Sequence, residues 1–187
     1  MAGGQGIRAC CLHPQSGPQL QIEATMLLIT QALAEPAISQ VGNLFREYAM
    51  SPGVEACLQD FEREVASLPG QYGPPTGRLL LALRQGPAGI DEPAGCVGLR
   101  KLEDGVCEMK RLYVRPSLRG EGAGRALVEK LISEARGIGY RAMRLDTLPT
   151  MLEAQMLYRE FGFLEIPAYL KNPTPNALCF ELALSQT

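Results

Sequence analysis

Arg119-Gly120-Glu121-Gly122-Ala123-Gly124 lies between an apolar stretch, Leu112-Tyr113-Val114, and an apolar helical pattern that opens with Ala126-Leu127-Val128. Strand, glycine loop and helix in that order leave backbone N–H groups uncovered at a helix N-terminus. There they converge with the positive end of the helix dipole, which is a phosphate-binding arrangement. Arg119 and Arg125 flank the loop and can pair with phosphate oxygens. Between positions 108 and 125 five basic residues (Lys110, Arg111, Arg115, Arg119, Arg125) accompany two acidic ones (Glu108, Glu121), a local +3 in a chain of net charge −2. A glycine-rich turn that only caps a helix explains the same residues, so the loop alone does not decide between the two readings.

Outward from the loop, the patterning predicts strands over 79–84, 95–102 and 106–114, the last two joined by the hairpin turn Asp104-Gly105. A helix is expected over 122–138, with Leu127, Val128, Leu131, Ile132, Ala135 and Ile138 as its buried stripe and Gly137 and Gly139 at its end. A strand over 141–146, a helix over 152–161 stopped by Gly162, a short strand over 163–166 and a last strand over 178–184 follow. Before the loop, a strand over 21–30 precedes two amphipathic helices. One carries Ile38, Val41, Phe45 and Tyr48, the other Val54, Leu58, Phe61, Val65 and Leu68. The segment 68–75 is too rich in Pro and Gly for regular structure. The order β-α-α-β-β-β-α-β-α-β-β predicts an α/β (α+β) mixed sheet with helices on both faces. Residues 1–20, with no apolar period, are expected to be a disordered leader to a single domain over 21–187.

Composition narrows the chemistry. At 187 residues and 46% hydrophobic, the chain suits one ordinary domain. The net charge of −2 gives no reason to expect a nucleic-acid partner. No run approaches the roughly 18 apolar residues of a membrane span, so no membrane partner is expected. Six cysteines (Cys10, Cys11, Cys57, Cys96, Cys107, Cys179) show no C-x-x-C spacing and read as reduced core residues, which suits a cytoplasmic protein. The single histidine, His13, lies in the leader. His-based triads and His metal sites are therefore not expected, and acid–base work falls to carboxylates, tyrosine, lysine, cysteine or water.

Three segments together resemble the Gcn5-related N-acetyltransferase (GNAT) superfamily. Leu112-Tyr113-Val114-Arg115-Pro116 is similar to the family's strand end before its loop. Arg119 to Gly124 fits the [Q/R]-x-x-G-x-[G/A] coenzyme A signature. Leu157-Tyr158-Arg159-Glu160-Phe161-Gly162-Phe163 is similar to its L-Y-x-x-x-G-F segment. The resemblance covers roughly residues 22–184. It departs at Leu148-Pro149-Thr150-Met151, which lacks the Asn that many members use against pantetheine.

The resemblance implies an acetyl-CoA-dependent N-acetyltransferase acting on the amine of an unidentified acceptor, small molecule or protein. It needs no metal, and it allows a homodimer. It implies a cofactor site of Leu112, Tyr113, Val114, Arg119, Gly120, Glu121, Gly122, Ala123, Gly124 and Arg125, with the backbone of Leu112 and Val114 meeting the pantetheine arm and thioester. It also implies that Tyr158 is the acid for the leaving thiolate, because a phenol near its reference pKa of about 10 keeps its proton at neutral pH. Tyr158 equally fits a buried stripe with Ala154, Leu157 and Phe161. Glu108 is the candidate base, directly or through water, sharing a face with Lys110 and Leu112 if the strand is regular. It equally suits an ion pair with Lys110 or Arg100. Asp146 and Thr147 are weaker candidates. Two other readings stay open: a dinucleotide-dependent oxidoreductase, with Asp146 as the acid ending a Rossmann unit, and an acyl-CoA-binding module without catalysis.

Overall fold

The computed structural model describes residues 26–52, 54, 60–86, 91–169 and 176–184. The expected leader and the first residues of the first expected strand lie outside these, as do Cys10, Cys11, Cys57 and His13. The chain forms β1 (Leu27–Gln31), α1 (Ala37–Ala49), α2 (Phe61–Ala66), β2 (Arg78–Gln85), β3 (Asp91–Glu103), β4 (Val106–Val114), α3 (Ala123–Ile138), β5 (Ala142–Thr147), α4 (Leu152–Glu160), β6 (Leu164–Ile166) and β7 (Leu178–Ala183). This is the element order expected from the sequence. Within the Pro/Gly-rich segment only a short 3-10 turn forms, Gly70–Tyr72.

The strands make one seven-stranded sheet in the order β1-β2-β3-β4-β5-β7-β6. Every pairing is antiparallel except β4 with β5. A doubly wound parallel sheet, which the dinucleotide-dependent reading requires, is therefore not what this chain builds. Alternation of side chains along the strands gives the sheet two apolar faces. On one, Val97, Leu99, Met109, Met143 and Phe180 pack against Leu127, Val128 and Leu131 of α3 and Tyr158 of α4. On the other, Leu79, Leu81 and Cys96 pack against Val41, Leu44 and Phe45 of α1 and Phe61 and Val65 of α2.

Two irregularities of β4 shape the site. First, its parallel pairing with β5 lasts only from Val106↔Ala142 to Glu108↔Arg144; beyond that the two strands part. Second, β4 bulges: Cys96 opposes Tyr113 while Gly98 opposes Lys110, so β4 has one residue more than β3 in that interval. Arg111 sits there with φ +57°. The strand is thus not regular, and the bulge breaks the expected common face. Leu112 and Val114 pack toward α3 with Met109, while Glu108 and Lys110 fall on the opposite face.

Candidate active site

Where β4 and β5 part, a cleft of about 860 Å³ opens between the end of β4, the glycine loop and the start of α4. Leu112, Tyr113, Val114, Arg119, Gly120, Gly122, Ala123, Gly124 and Arg125 all line it. Glu121 does not; it turns toward Arg84, at 3.6 Å. Gly120 and Gly122 have φ of +81° and +86°, in the left-handed region that glycine enters without strain. Gly122 is the N-cap of α3, and no side chain caps that end. The first backbone bond of the helix runs from the Ala126 N–H to the Gly122 carbonyl. The N–H groups of Ala123, Gly124 and Arg125 therefore have no acceptor among the described residues, as expected of a first helical turn. An ideal Cβ on Gly120 or Gly122 would meet nothing within 4 Å, so the loop is open as well as rich in donors. Arg119 lies over the loop, its Nε donating to the Val114 carbonyl at 3.2 Å, and Arg125 pairs with Glu160.

The far wall belongs to the β5–α4 connection, with Thr150 and Met151, and to Ala154 at the start of α4. The buried Gln155 holds that connection: its Nε2 donates to the carbonyls of Leu148 at 3.1 Å and Pro149 at 3.0 Å. Nothing in the sequence pattern singled this glutamine out. Its signal is a polar residue at a core-facing position of α4, where an amide is expected to be hydrogen-bonded.

Past Leu112 the cleft continues into a smaller chamber of about 60 Å³ in the gap between β4 and β5. Tyr48, Lys110, Arg111, Asp146, Thr147 and Tyr158 are among its walls. Tyr158 is buried against Phe163 and Phe180, with ring centroids 5.8 Å and 6.3 Å away. Burial first, then the neighbouring Tyr48 and Asp146, push its phenol well above the ordinary tyrosine value, so it keeps its proton. Lys110 Nζ donates to Asp146 Oδ1 at 2.7 Å across the parted strands. Arg111 makes two hydrogen bonds to Glu64, Nε to Oε1 at 3.2 Å and Nη2 to Oε2 at 2.6 Å. Burial works against the Glu64 carboxylate, yet Arg111 and Tyr72 overcome it and hold its pKa below the usual value.

Glu108 lines neither space. Its side chain is wholly buried; Arg100 Nε donates to Oε2 at 2.6 Å, and the Tyr169 hydroxyl donates to Oε1 at 2.8 Å. Lys110 Nζ is 3.9 Å away. Both ion-pair partners weighed for Glu108 are thus beside it, Arg100 in direct contact. Tyr169, from the Pro-bearing link after β6, lies under Arg144, whose guanidinium is 5.5 Å from the ring centre. Sequence patterning held Asp146 and Thr147 as weaker candidates, and both line the chamber; it missed Tyr48, Glu64 and the pairing of Lys110 with Asp146, because these side chains come from four separate elements. Among the described residues no group of three His, Cys, Asp or Glu side chains could hold a metal ion, and no helix is long and apolar enough to cross a membrane.

The model of the acetyltransferase (GNAT) family matches residues 41–163. A Schizosaccharomyces pombe protein described as an uncharacterized N-acetyltransferase is 39% identical over 144 residues, covering 76% of this chain and 86% of its own. Among solved structures, a GNAT-family acetyltransferase from Staphylococcus aureus superposes with a TM-score of 0.68 at 17% identity, over 86% of this chain and 100% of its own. Salmonella typhimurium YncA, solved with its cofactor acetyl-CoA, superposes with a TM-score of 0.65 at 17% identity, over 86% of this chain and 95% of its own. The chain belongs to the GNAT family. It is an N-acetyltransferase by that membership and by its named relatives.

Proposed function

We propose that this N-acetyltransferase carries an acetyl group from acetyl-CoA to the amine of a small acceptor held in the chamber between β4 and β5. One observation carries the reading: an open helix N-terminus with unpartnered N–H groups borders a cleft that, past the bulged end of β4, adjoins a chamber lined by Tyr158. The same features fit the cosubstrate. The amides of Ala123, Gly124 and Arg125 and the flanking arginines suit a pyrophosphate, and the apolar channel along Leu112, Val114 and Leu157 suits a pantetheine arm. Acetyl-CoA supplies an acetyl thioester, whose carbonyl carbon bonds to the amine nitrogen as its C–S bond breaks.

In this reading the backbone of Leu112 and Val114, turned by the bulge, orients the thioester. Tyr158, loaded with its proton by burial, gives it to the departing sulfur. Glu108 accepts the proton lost by the acceptor's ammonium; because it is set back from the cleft, it acts through water. The unpaired, buried Cys96, Cys107 and Cys179 support a reducing compartment, consistent with the cytoplasm.

The test is acetyl-CoA-dependent release of free thiol with a panel of amines, together with the melting temperature in CoA. Turnover with at least one amine and a CoA-dependent rise in melting temperature are expected. A rise without turnover on any amine would favour a binding module without catalysis.

A further inference from the structure

The chamber's polar lining has a definite charge pattern. Lys110 pairs with Asp146 at 2.7 Å and Arg111 with Glu64 at 2.6 Å, and one layer behind, Arg100 pairs with Glu108 at 2.6 Å. Among the described residues these charges around the chamber are thus matched in pairs, and the set sums to zero. The Lys110–Asp146 pair still has unused capacity. Asp146 gives Oδ1 to Lys110, while its Oδ2 has no donor among the described residues. That oxygen is not sealed, because no side-chain nitrogen or oxygen among the described residues is both fully buried and unpartnered. The Lys110 ammonium has three donors; one reaches Asp146, Glu108 lies 3.9 Å away, and no third partner stands among the described residues.

We infer that the acceptor is an α-amino acid, or a small amine of that kind carrying its own carboxylate, with Asp146 receiving the ammonium and Lys110 the carboxylate. The inference rests on the acetyltransferase reading above. A bare ammonium brought into a chamber whose charges already cancel would add an uncompensated charge in a poorly solvated place, which is costly. A zwitterion adds none. In an α-amino acid a single carbon separates the two charged groups, so they match two protein charges in direct contact; a longer spacing between amine and acid would not. Asp146 and Tyr158 line the same small chamber, so an amine held by Asp146 stands near the reacting centre. Met109, Leu148 and Met151 leave an apolar wall for the acceptor's side chain.

The experiment compares thiol release from acetyl-CoA with the common L-amino acids, their carboxamides and the corresponding decarboxylated amines. For the preferred side chain, kcat/KM for the amino acid should exceed that for its carboxamide by at least about tenfold. Lys110→Met should abolish or reverse that preference, because it leaves Asp146 without its cation and the chamber with a net negative charge that suits the carboxamide's bare ammonium. Calorimetry on the CoA-loaded protein gives a readout apart from turnover: the preferred amino acid should bind the wild type and lose at least about tenfold in affinity in Lys110→Met. The wild-type panel decides the matter even if that variant folds poorly. Carboxamides or decarboxylated amines acetylated as well as the amino acids would overturn the zwitterion clamp while upholding the transferase. CoA binding without transfer to any member of the panel would overturn the reading that the chamber holds a small amine acceptor, and the clamp with it.

Discussion

Arg111, the residue that makes the bulge in β4, is tied to Glu64 of α2 by two hydrogen bonds of 3.2 Å and 2.6 Å. The pair holds a strained position in place: Arg111 has φ +57°, costly for a residue with a side chain. It also fixes the turn that points Leu112 into the cleft. Removing one partner leaves the other as a largely buried, uncompensated charge. Arg111→Met should therefore cost about 3–5 kcal/mol of unfolding free energy.

The same pair predicts a pH dependence. Burial opposes the Glu64 charge, but Arg111 and Tyr72 hold its folded pKa below the ordinary 4.5. A carboxyl with a depressed folded pKa contributes stability above its unfolded pKa and loses it as pH falls through the folded value. Denaturant titrations at pH 7, 4 and 3 should show the wild type losing more stability with acid than Glu64→Gln. Parallel losses in the two proteins would show that this carboxylate is not what acid attacks.

Gly122→Glu should keep the fold and lose the cosubstrate. The new Cβ meets no atom within 4 Å, so the cost is backbone strain at φ +86°, about 1–2 kcal/mol. The added carboxylate stands where phosphate is expected and should erase the rise in melting temperature that CoA gives the wild type. Gly122→Ala carries the strain without the charge and should keep most of that rise. If the two variants respond to CoA alike, the loop does not hold phosphate.

The glycine loop itself was legible from the sequence, because the feature is local: strand, glycines and helix are contiguous. So was the order of elements, since period-2 and period-3.6 patterns write themselves along the chain. What was not legible depends on one extra residue. An unbroken β4 puts Glu108, Lys110 and Leu112 on one face; the bulge at Arg111 sends Leu112 to the other, and no pattern in Met109-Lys110-Arg111-Leu112 announces it. Nor does patterning place Tyr169, 61 positions from Glu108, onto that carboxylate. Contacts of that reach are set by where the chain beyond β6 places Tyr169.

Gln155→Leu should act on the cleft wall. The amide satisfies the Leu148 and Pro149 carbonyls, and its loss strands two acceptors in a buried place, at about 1–3 kcal/mol. Thr150 and Met151, which line the cleft, sit on the segment it steadies. KM for acetyl-CoA should rise several-fold, with a smaller change in kcat. A variant whose KM stays at the wild-type value would show that the connection holds its shape without Gln155.

Tyr158→Phe removes one hydroxyl from a packed ring and should leave the fold and the CoA-dependent melting shift unchanged. If the phenol protonates the leaving thiolate, turnover should fall by roughly 10²–10⁴. Undiminished turnover would mean that the thiolate takes its proton from water.

Glu108→Gln separates a base from a structural anchor. The carboxylate takes hydrogen bonds from Arg100 and Tyr169, so the neutral amide should destabilise the protein and weaken the hold on the link that carries Tyr169. That cost belongs to either role and does not discriminate. The pH profile of kcat/KM does. At low pH the acceptor is an ammonium and needs a base, so the variant should lose most there. At high pH free amine is abundant, and the variant should approach the wild type. Profiles that run parallel across the whole range would assign Glu108 to holding Arg100 and Tyr169 in place, leaving water alone to take the proton.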